Sequence, residues 1–448
     1  MFRKINIFLL IFIFTNIIPF KAILQAQEVD SPSTSEKVYS LNDLYKIALK
    51  ESEKINISKE NLYIAKRTKE KALSVLFPRF SSFGNYTHYS EEKVSSETTI
   101  QPEWKTTWGL RLVQSFTLNG KELIALGITE DTIKKNKYDL NAVKEAYLFS
   151  VASAYYDVLK AKRIVEIAET NVERLESHKK SVTLRLKLEE VPKTALYRAE
   201  AELSKSRTDL IGAKNNFILA KRVLARIAGI TKDYEIREPE FKIEPIHEYN
   251  LDSLKKEGLS HRAELKSLDI EKRISDDYVK FSRSAYWPSI SIEGMYLNSH
   301  QDPSSTPLAK DSLSMGFRID VPLFDGGLRK ADIKETLAKK RQVDLALKDL
   351  LKQISIEIDQ AYLQLMNADS VIKSLNDQLK FANENYNAVS KLFKYGLANS
   401  IDVMDANTLL VTSEKHLSDA RYSYQLSILR LKRAKGVFLN SILENKIS

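Results

Sequence analysis

The chain has 448 residues, 43% of them hydrophobic and 29% charged, and a formal net charge of +10. It contains no cysteine, which excludes disulfides, thiolate metal centres and a lipid-modified cysteine behind a leader. With only 13 glycines and 11 prolines, most of the chain is free to be helical.

Arg3 and Lys4 precede an apolar run from Ile5 to Ile18, and small residues at Ala22 and Ala26 suit a cleavage site. Residues 1–26 therefore read as a secretory signal. An uncleaved anchor is the alternative, disfavoured by Lys21 and by the shortness of the run. Removing the leader takes away Arg3, Lys4 and Lys21 and leaves a net charge of about +7. The remaining Lys and Arg alternate with Glu as on solvated helix faces. With export, this makes nucleic acid an unexpected partner. No later apolar stretch is long enough for a membrane helix.

A disordered-looking stretch, 27–37, leads into a helical pattern over 41–77 that Pro78 ends. Strand candidates at 79–89 and 106–115 flank a polar loop, 90–103. Asn119-Gly120 turns the chain into a long helix over 121–188. Val191-Pro192 breaks it, and a further helix runs to Ala228-Gly229. A linker, 231–249, carries Pro239 and Pro245. The order then recurs: a helix over 251–286, a strand after Pro288, a polar loop over 298–311 and a strand over 313–321. A long helix from Gly326-Gly327 to Tyr395, a break over 396–400 and a helix to Phe438 complete it, before a tail of 439–448.

The recurrence is a duplication. Residues 109–230 lie over 316–437 at a constant offset of 207, matching Gly109 to Gly316, Tyr155 to Tyr362 and Gly229 to Gly436. Upstream the offset is 210, so that Leu41 meets Leu251 and Pro78 meets Pro288. The chain is thus a first repeat, 27–230, with a hairpin at 79–115, and a second, 250–438, with a hairpin at 289–321. The linker lies between them. Each repeat has one break between its long helix and the next, near 189–194 and 396–400.

Leu196, Leu203, Leu210, Phe217 and Leu224 are spaced by sevens, as are Leu410, Leu417, Tyr424 and Leu431. Three residues after each stands a mostly small one, such as Ala199, Ser206, Ser413 or Ser427. Such a repeat implies left-handed supercoiling of closely packed helices. The long helices, about 70 residues each, would be roughly 100 Å in length. That suits a conduit or a stalk.

Leu313, Met315, Phe317, Ile319 and Val321 alternate with Ser314, Gly316, Arg318 and Asp320. The pattern fits a transmembrane barrel strand, and equally a half-buried soluble hairpin. Two hairpins cannot close a barrel, and an open edge in lipid leaves backbone groups unpaired at several kcal/mol each. An eight-stranded barrel is filled by its own side chains. A conducting barrel therefore asks for three or more chains.

Several motifs carry a family resemblance over essentially all of the mature chain. They are Tyr395-Gly396-Leu397-Ala398-Asn399-Ser400-Ile401-Asp402-Val403-Met404-Asp405-Ala406, Ala420-Arg421-Tyr422, and Val321-Pro322-Leu323-Phe324-Asp325-Gly326-Gly327. Helices ending at Pro78 and Pro288 before a strand add to them. The chain resembles TolC-type outer-membrane efflux and secretion channels. The resemblance implies a mainly α fold with a small β part. Long antiparallel coiled-coil helices would form an α-barrel in the periplasm, and four strands per chain would enter a shared trimeric β-barrel in the outer membrane. The linker and repeat ends would form an equatorial belt. It implies a passive, porin-like exit duct of a tripartite efflux pump or type I secretion system. Its partners would be two further copies of the chain, a periplasmic adaptor, an inner-membrane pump and outer-membrane lipid. No cofactor and no enzymatic activity are expected. The rival readings are a periplasmic coiled-coil structural or adaptor protein and an exported enzyme on a helical scaffold.

Asp402 and Asp405 share one helix face. They are either dipole-compatible acids of a first turn or members of a six-carboxylate ring that selects cations in a trimer. The resemblance implies the ring at the periplasmic aperture. It also implies tip turns and adaptor docking at Glu189, Glu190, Val191, Pro192, Gly396, Leu397 and Ala398. Ala195 stands where the family often has an acid, Phe393 where it often has a tyrosine, and Glu189 opposite Gly396. Arg198 and Phe393 are the candidate gate contacts. The six histidines are scattered without metal-site spacing, and no phosphate loop or nucleophile elbow is present.

Overall fold

The computed structural model describes residues 37–96, 98–241, 250–304 and 310–444. The leader at 1–26, nearly all of the stretch 27–37 and the linker end 242–249 lie outside them.

In chain order, β1 (Lys37–Tyr39) precedes α1 (Leu41–Glu51) and α2 (Glu53–Ser74). β2 (Arg79–His88), β3 (Lys93–Ser95), β4 (Thr98–Gln101) and β5 (Trp104–Thr117) follow. Then come α3 (Lys121–Lys187), α4 (Lys193–Ala228) and β6 (Tyr234–Ile236). The second half has α5 (Leu251–His261), α6 (Ala263–Arg283), a 3₁₀ turn (Ser284–Tyr286), β7 (Ser289–Asp302) and β8 (Asp311–Asp320). It ends with α7 (Leu328–Lys394), α8 (Ser400–Ala434) and α9 (Phe438–Glu444).

α3 and α7 are each 67 residues long, about 100 Å at the usual rise. Each packs against the shorter helix that follows it, α4 or α8, and the two pairs meet along α3 and α8. Nearer the sheet, α2 and α6 lie against α3, and α6 also against α7. The heptad positions make these contacts: Leu203, Leu224, Leu410, Leu417, Tyr424 and Leu431 are all buried. The small residues between them, among them Ala199, Ser206, Ser413 and Ser427, are buried too and let the helix backbones approach.

The structure departs from the expected elements in five respects. The helix expected over 41–77 is broken at Ser52, which leaves the helical region (ψ 122°) and whose hydroxyl accepts from the Ile55 amide at 3.4 Å. Its repeat partner Arg262 breaks the helix expected over 251–286 in the same way. Neither break has a Gly or Pro to announce it. The loop at 90–103 contains the small β3–β4 hairpin. Strand pairing carries β5 and β7 beyond the expected ends, with Trp104 opposite Asp302. The last helix stops at Ala434, where Gly436 takes a left-handed φ of 71°, and Phe438 opens α9. The first part of the expected tail is therefore helix, and Phe438, Leu439 and Ile442 are buried in a core with α1, α3, α4 and β6. β1 pairs in parallel with β6 from the linker, so chain start and linker close one belt around the middle of α3.

Candidate functional site: the sheet and the tip turns

The four long strands form one antiparallel sheet in the order β2-β5-β7-β8. Register fixes its two faces, because directly paired residues point the same way. Leu313, Phe317 and Ile319 of β8 pair with Tyr296, Ile292 and Ile290 of β7, and these with Leu110, Gln114 and Phe116 of β5. Leu313, Met315, Phe317 and Ile319 are 65–84% exposed. Trp104, Trp108, Tyr86 and Tyr296 lie on this same face, with Trp108 and Tyr296 5.6 Å apart. The opposite face is polar: Arg111 Nε contacts Glu293 Oε1 at 2.5 Å, and the Ser115 and Ser291 hydroxyls are 2.8 Å apart. An apolar, aromatic-rich face backed by a charged one is the pattern of a barrel strand between lipid and lumen. The outer edges of β2 and β8 have no partner strand among the described residues.

At the far end of the helices the two tip turns share one backbone solution. After α3, the Glu190 amide donates to Arg185 O at 2.9 Å and the Glu189 amide to Leu186 O at 3.0 Å. After α7, the Leu397 amide donates to Leu392 O at 2.9 Å and the Gly396 amide to Phe393 O at 3.1 Å. Both are Schellman turns with a left-handed residue at the same position, Glu189 (φ 61°) and Gly396 (φ 80°). The mismatch between them leaves the turn intact and strains it, because a side chain there costs about 1 kcal/mol. Pro192 caps the start of α4 without a side-chain hydrogen bond. Asn399 caps α8 in a capping box, in which Asp402 Oδ2 accepts from the Asn399 amide at 3.0 Å.

Asp402 thus holds the start of α8 locally. Both Asp402 and Asp405 are exposed, as is Arg198. Leu397 is 76% exposed at the turn itself, whereas Phe393 is only 2% exposed. Phe393 packs with Val182, Ala199 and Val403, with Ala195, Val191 and Ala398 beside them, so Ala195 lines an apolar cluster.

Two residues that the sequence reading passed over connect the turns. Arg185, near the end of α3, donates from Nη1 to Phe393 O at 2.7 Å and from Nε to Glu190 Oε2 at 2.8 Å. Its guanidinium lies 4.8 Å from the centre of the Phe393 ring. One side chain therefore joins the first turn, through Glu190, to the end of α7. One heptad above, buried His178 is 2.8 Å from the Ser400 hydroxyl, and burial lowers its affinity for a proton. The α3–α8 seam continues upward through Asn171 with Asn407, Arg174 with Glu414 and Lys160 with Asp419. A signal for Arg185 existed: at the offset of 207 its partner is Leu392, a mismatch at the tip.

A sheet with a lipid-type face, carried on 100 Å-class paired helices, defines an outer-membrane channel with a helical tunnel. Residues 254–437 match the family model described as Outer membrane efflux protein. The outer membrane protein TolC of Vibrio cholerae is 22% identical over 401 residues, covering 83% of this chain and 89% of that protein. The alkaline protease secretion protein AprF of Pseudomonas aeruginosa is 21% identical, covering 66% of this chain and 63% of its own. The Campylobacter jejuni CmeC outer membrane channel superposes with a TM-score of 0.79 at 15% identity, covering 91% and 89% of the two chains, which shows the shared fold. The chain thus matches the outer membrane efflux protein family over its second repeat and is similar to TolC-type outer-membrane channels along most of its length. The family consists of outer-membrane channels, which are not enzymes.

Proposed function

We propose that this chain is the exit duct of a tripartite efflux pump or type I secretion system: a passive homotrimer opened at its tip by a periplasmic adaptor and an inner-membrane pump. The observation that carries the reading is the four-stranded sheet with an exposed apolar face and two outer edges that are unpaired among the described residues. Such a sheet cannot stand in lipid until neighbouring strands pair its edges. Three copies would give twelve strands, wide enough for a lumen lined by the polar face.

At the tip, Asp402 and Asp405 of three chains would ring the aperture, and Glu189 to Pro192 with Gly396 to Ala398 would meet the adaptor. The gate contact supported best is Arg185 with Phe393 and Glu190. Arg198 remains exposed and available to a neighbouring chain. Reconstitution in planar bilayers tests the reading. Purified protein should give discrete conductance steps, and Asp402→Asn with Asp405→Asn should weaken block by multivalent cations. Absence of steps, with the protein wholly in the soluble periplasm, would rule the duct out. Unchanged block would remove the two aspartates from the aperture.

A further inference from the structure

On the polar face of the sheet, register places four basic side chains, Arg79, Lys105, Arg111 and Arg318, with two acids, Glu293 and Asp320. On the apolar face the long strands carry only Asp302 and Asp311 as charged residues, both at the ends remote from the helices. Three of the basic residues crowd one acid. Glu293 stands opposite Val113 of β5 and Gly316 of β8, and Val113 stands opposite Arg79 of β2. Arg111 and Arg318 lie two residues from those partners, so both are diagonal neighbours of Glu293, with backbones about 7–8 Å away. Arg111 takes the carboxylate, with Nε 2.5 Å from Oε1. No ion pair holds Arg79 or Arg318 among the described residues. One carboxylate cannot satisfy three guanidiniums of five donors each.

An apolar strip adjoins the cluster on the side away from the helices. Met295 stands opposite Arg111, and Leu297 opposite Gly109. Phe83 flanks Gly109 from β2, and its ring settles on that glycine: a Cβ there would stand 2.8 Å from Phe83 Cζ. Phe83, Met295 and Leu297 are all half-buried.

Magnitudes decide what such a patch does. Twelve tilted strands about 4.8 Å apart enclose a lumen roughly 20 Å or more across. The Debye length is about 8 Å at physiological salt, so wall charges are screened before they reach the axis. The cluster therefore acts on what touches the wall and does not filter the whole lumen.

We propose that Arg79, Arg111 and Arg318, with Phe83, Met295 and Leu297, form a binding site on the duct wall for organic anions with an apolar, aromatic body. The guanidinium forks hold the anionic group by paired hydrogen bonds, and the Phe83 strip takes the body. The inference rests on the exit-duct reading only for the direction in which this face looks, and it adds a class of cargo that dwells there.

Equilibrium dialysis of the full chain in detergent against naphthalene disulfonate tests the site, with inorganic sulfate and naphthyl trimethylammonium as references. The disulfonate should bind more tightly than either. Arg111→Gln with Arg318→Gln should weaken it at least tenfold. Glu293→Gln, which frees Arg111, should tighten it a few-fold. Phe83→Ser should weaken the disulfonate several-fold and leave sulfate unchanged. Equal binding of the disulfonate and the trimethylammonium overturns the proposal, as does unchanged binding in the arginine variant or in Glu293→Gln. Single-channel recording separates the two readings. Conductance steps without this binding would overturn the site and leave the duct, whereas binding with this ranking and no steps would leave the site and remove the duct.

Discussion

Glu189 and Arg185 are neighbours in the first tip turn and pull on it in opposite senses. Glu189 holds a left-handed backbone that its counterpart Gly396 adopts without strain. Glu189→Gly should relieve about 1 kcal/mol and raise exchange protection over 186–192 by roughly fivefold. Arg185 is tied to both Phe393 O and Glu190. Charge-assisted bonds of this kind contribute about 1.5–3 kcal/mol. Arg185→Ala should therefore raise the open fraction in single-channel recording by roughly tenfold or more, with Arg185→Lys in between. Unchanged gating in Arg185→Ala would assign the residue to packing alone. His178 gives the tip a pH dependence of its own. Its proton affinity in the fold is lowered by burial, so its contribution is present above the ordinary histidine range and is lost as pH falls below it. Exchange over 396–404 should accelerate below about pH 6, and His178→Gln should suppress that change. The tip turns were legible because glycine and proline mark them. Arg185 and His178 were not, because a lone basic residue on a helix carries no period; only the Leu392 mismatch hinted at the first.

The helices were legible for the same reason they pack. A seven-residue repeat of large and small side chains survives in the sequence, and α3 and α7 have the equal lengths that a gapless offset requires. Ser413 is fully buried between helices, so Ser413→Leu should overpack the seam and cost about 1–3 kcal/mol, seen as a lowered thermal midpoint. The breaks at Ser52 and Arg262 were hidden, since both residues are compatible with a helix interior. A serine hydroxyl capping Ile55 and an arginine drawn to Glu357 decided them, and those are tertiary facts. β1 and β6 were hidden as well: three residues each are too short to show alternation, and they exist only by pairing across nearly 200 residues of chain.

For the assembled channel, the decisive feature is what one chain leaves unfinished. The sheet ends in two open edges, and its apolar face has no cover among the described residues. The paired helices likewise present exposed apolar side chains such as Tyr197, Ile211 and Leu219 on α4. Barrel strands and tunnel helices were both readable as patterns, whereas the number of chains was readable only as a lower bound from closure geometry. Native mass spectrometry of the protein extracted from outer membranes in mild detergent measures that number. A complex of three chains is expected, folding as one unit. A stable single chain with an intact sheet would refute the shared barrel, and with it the duct.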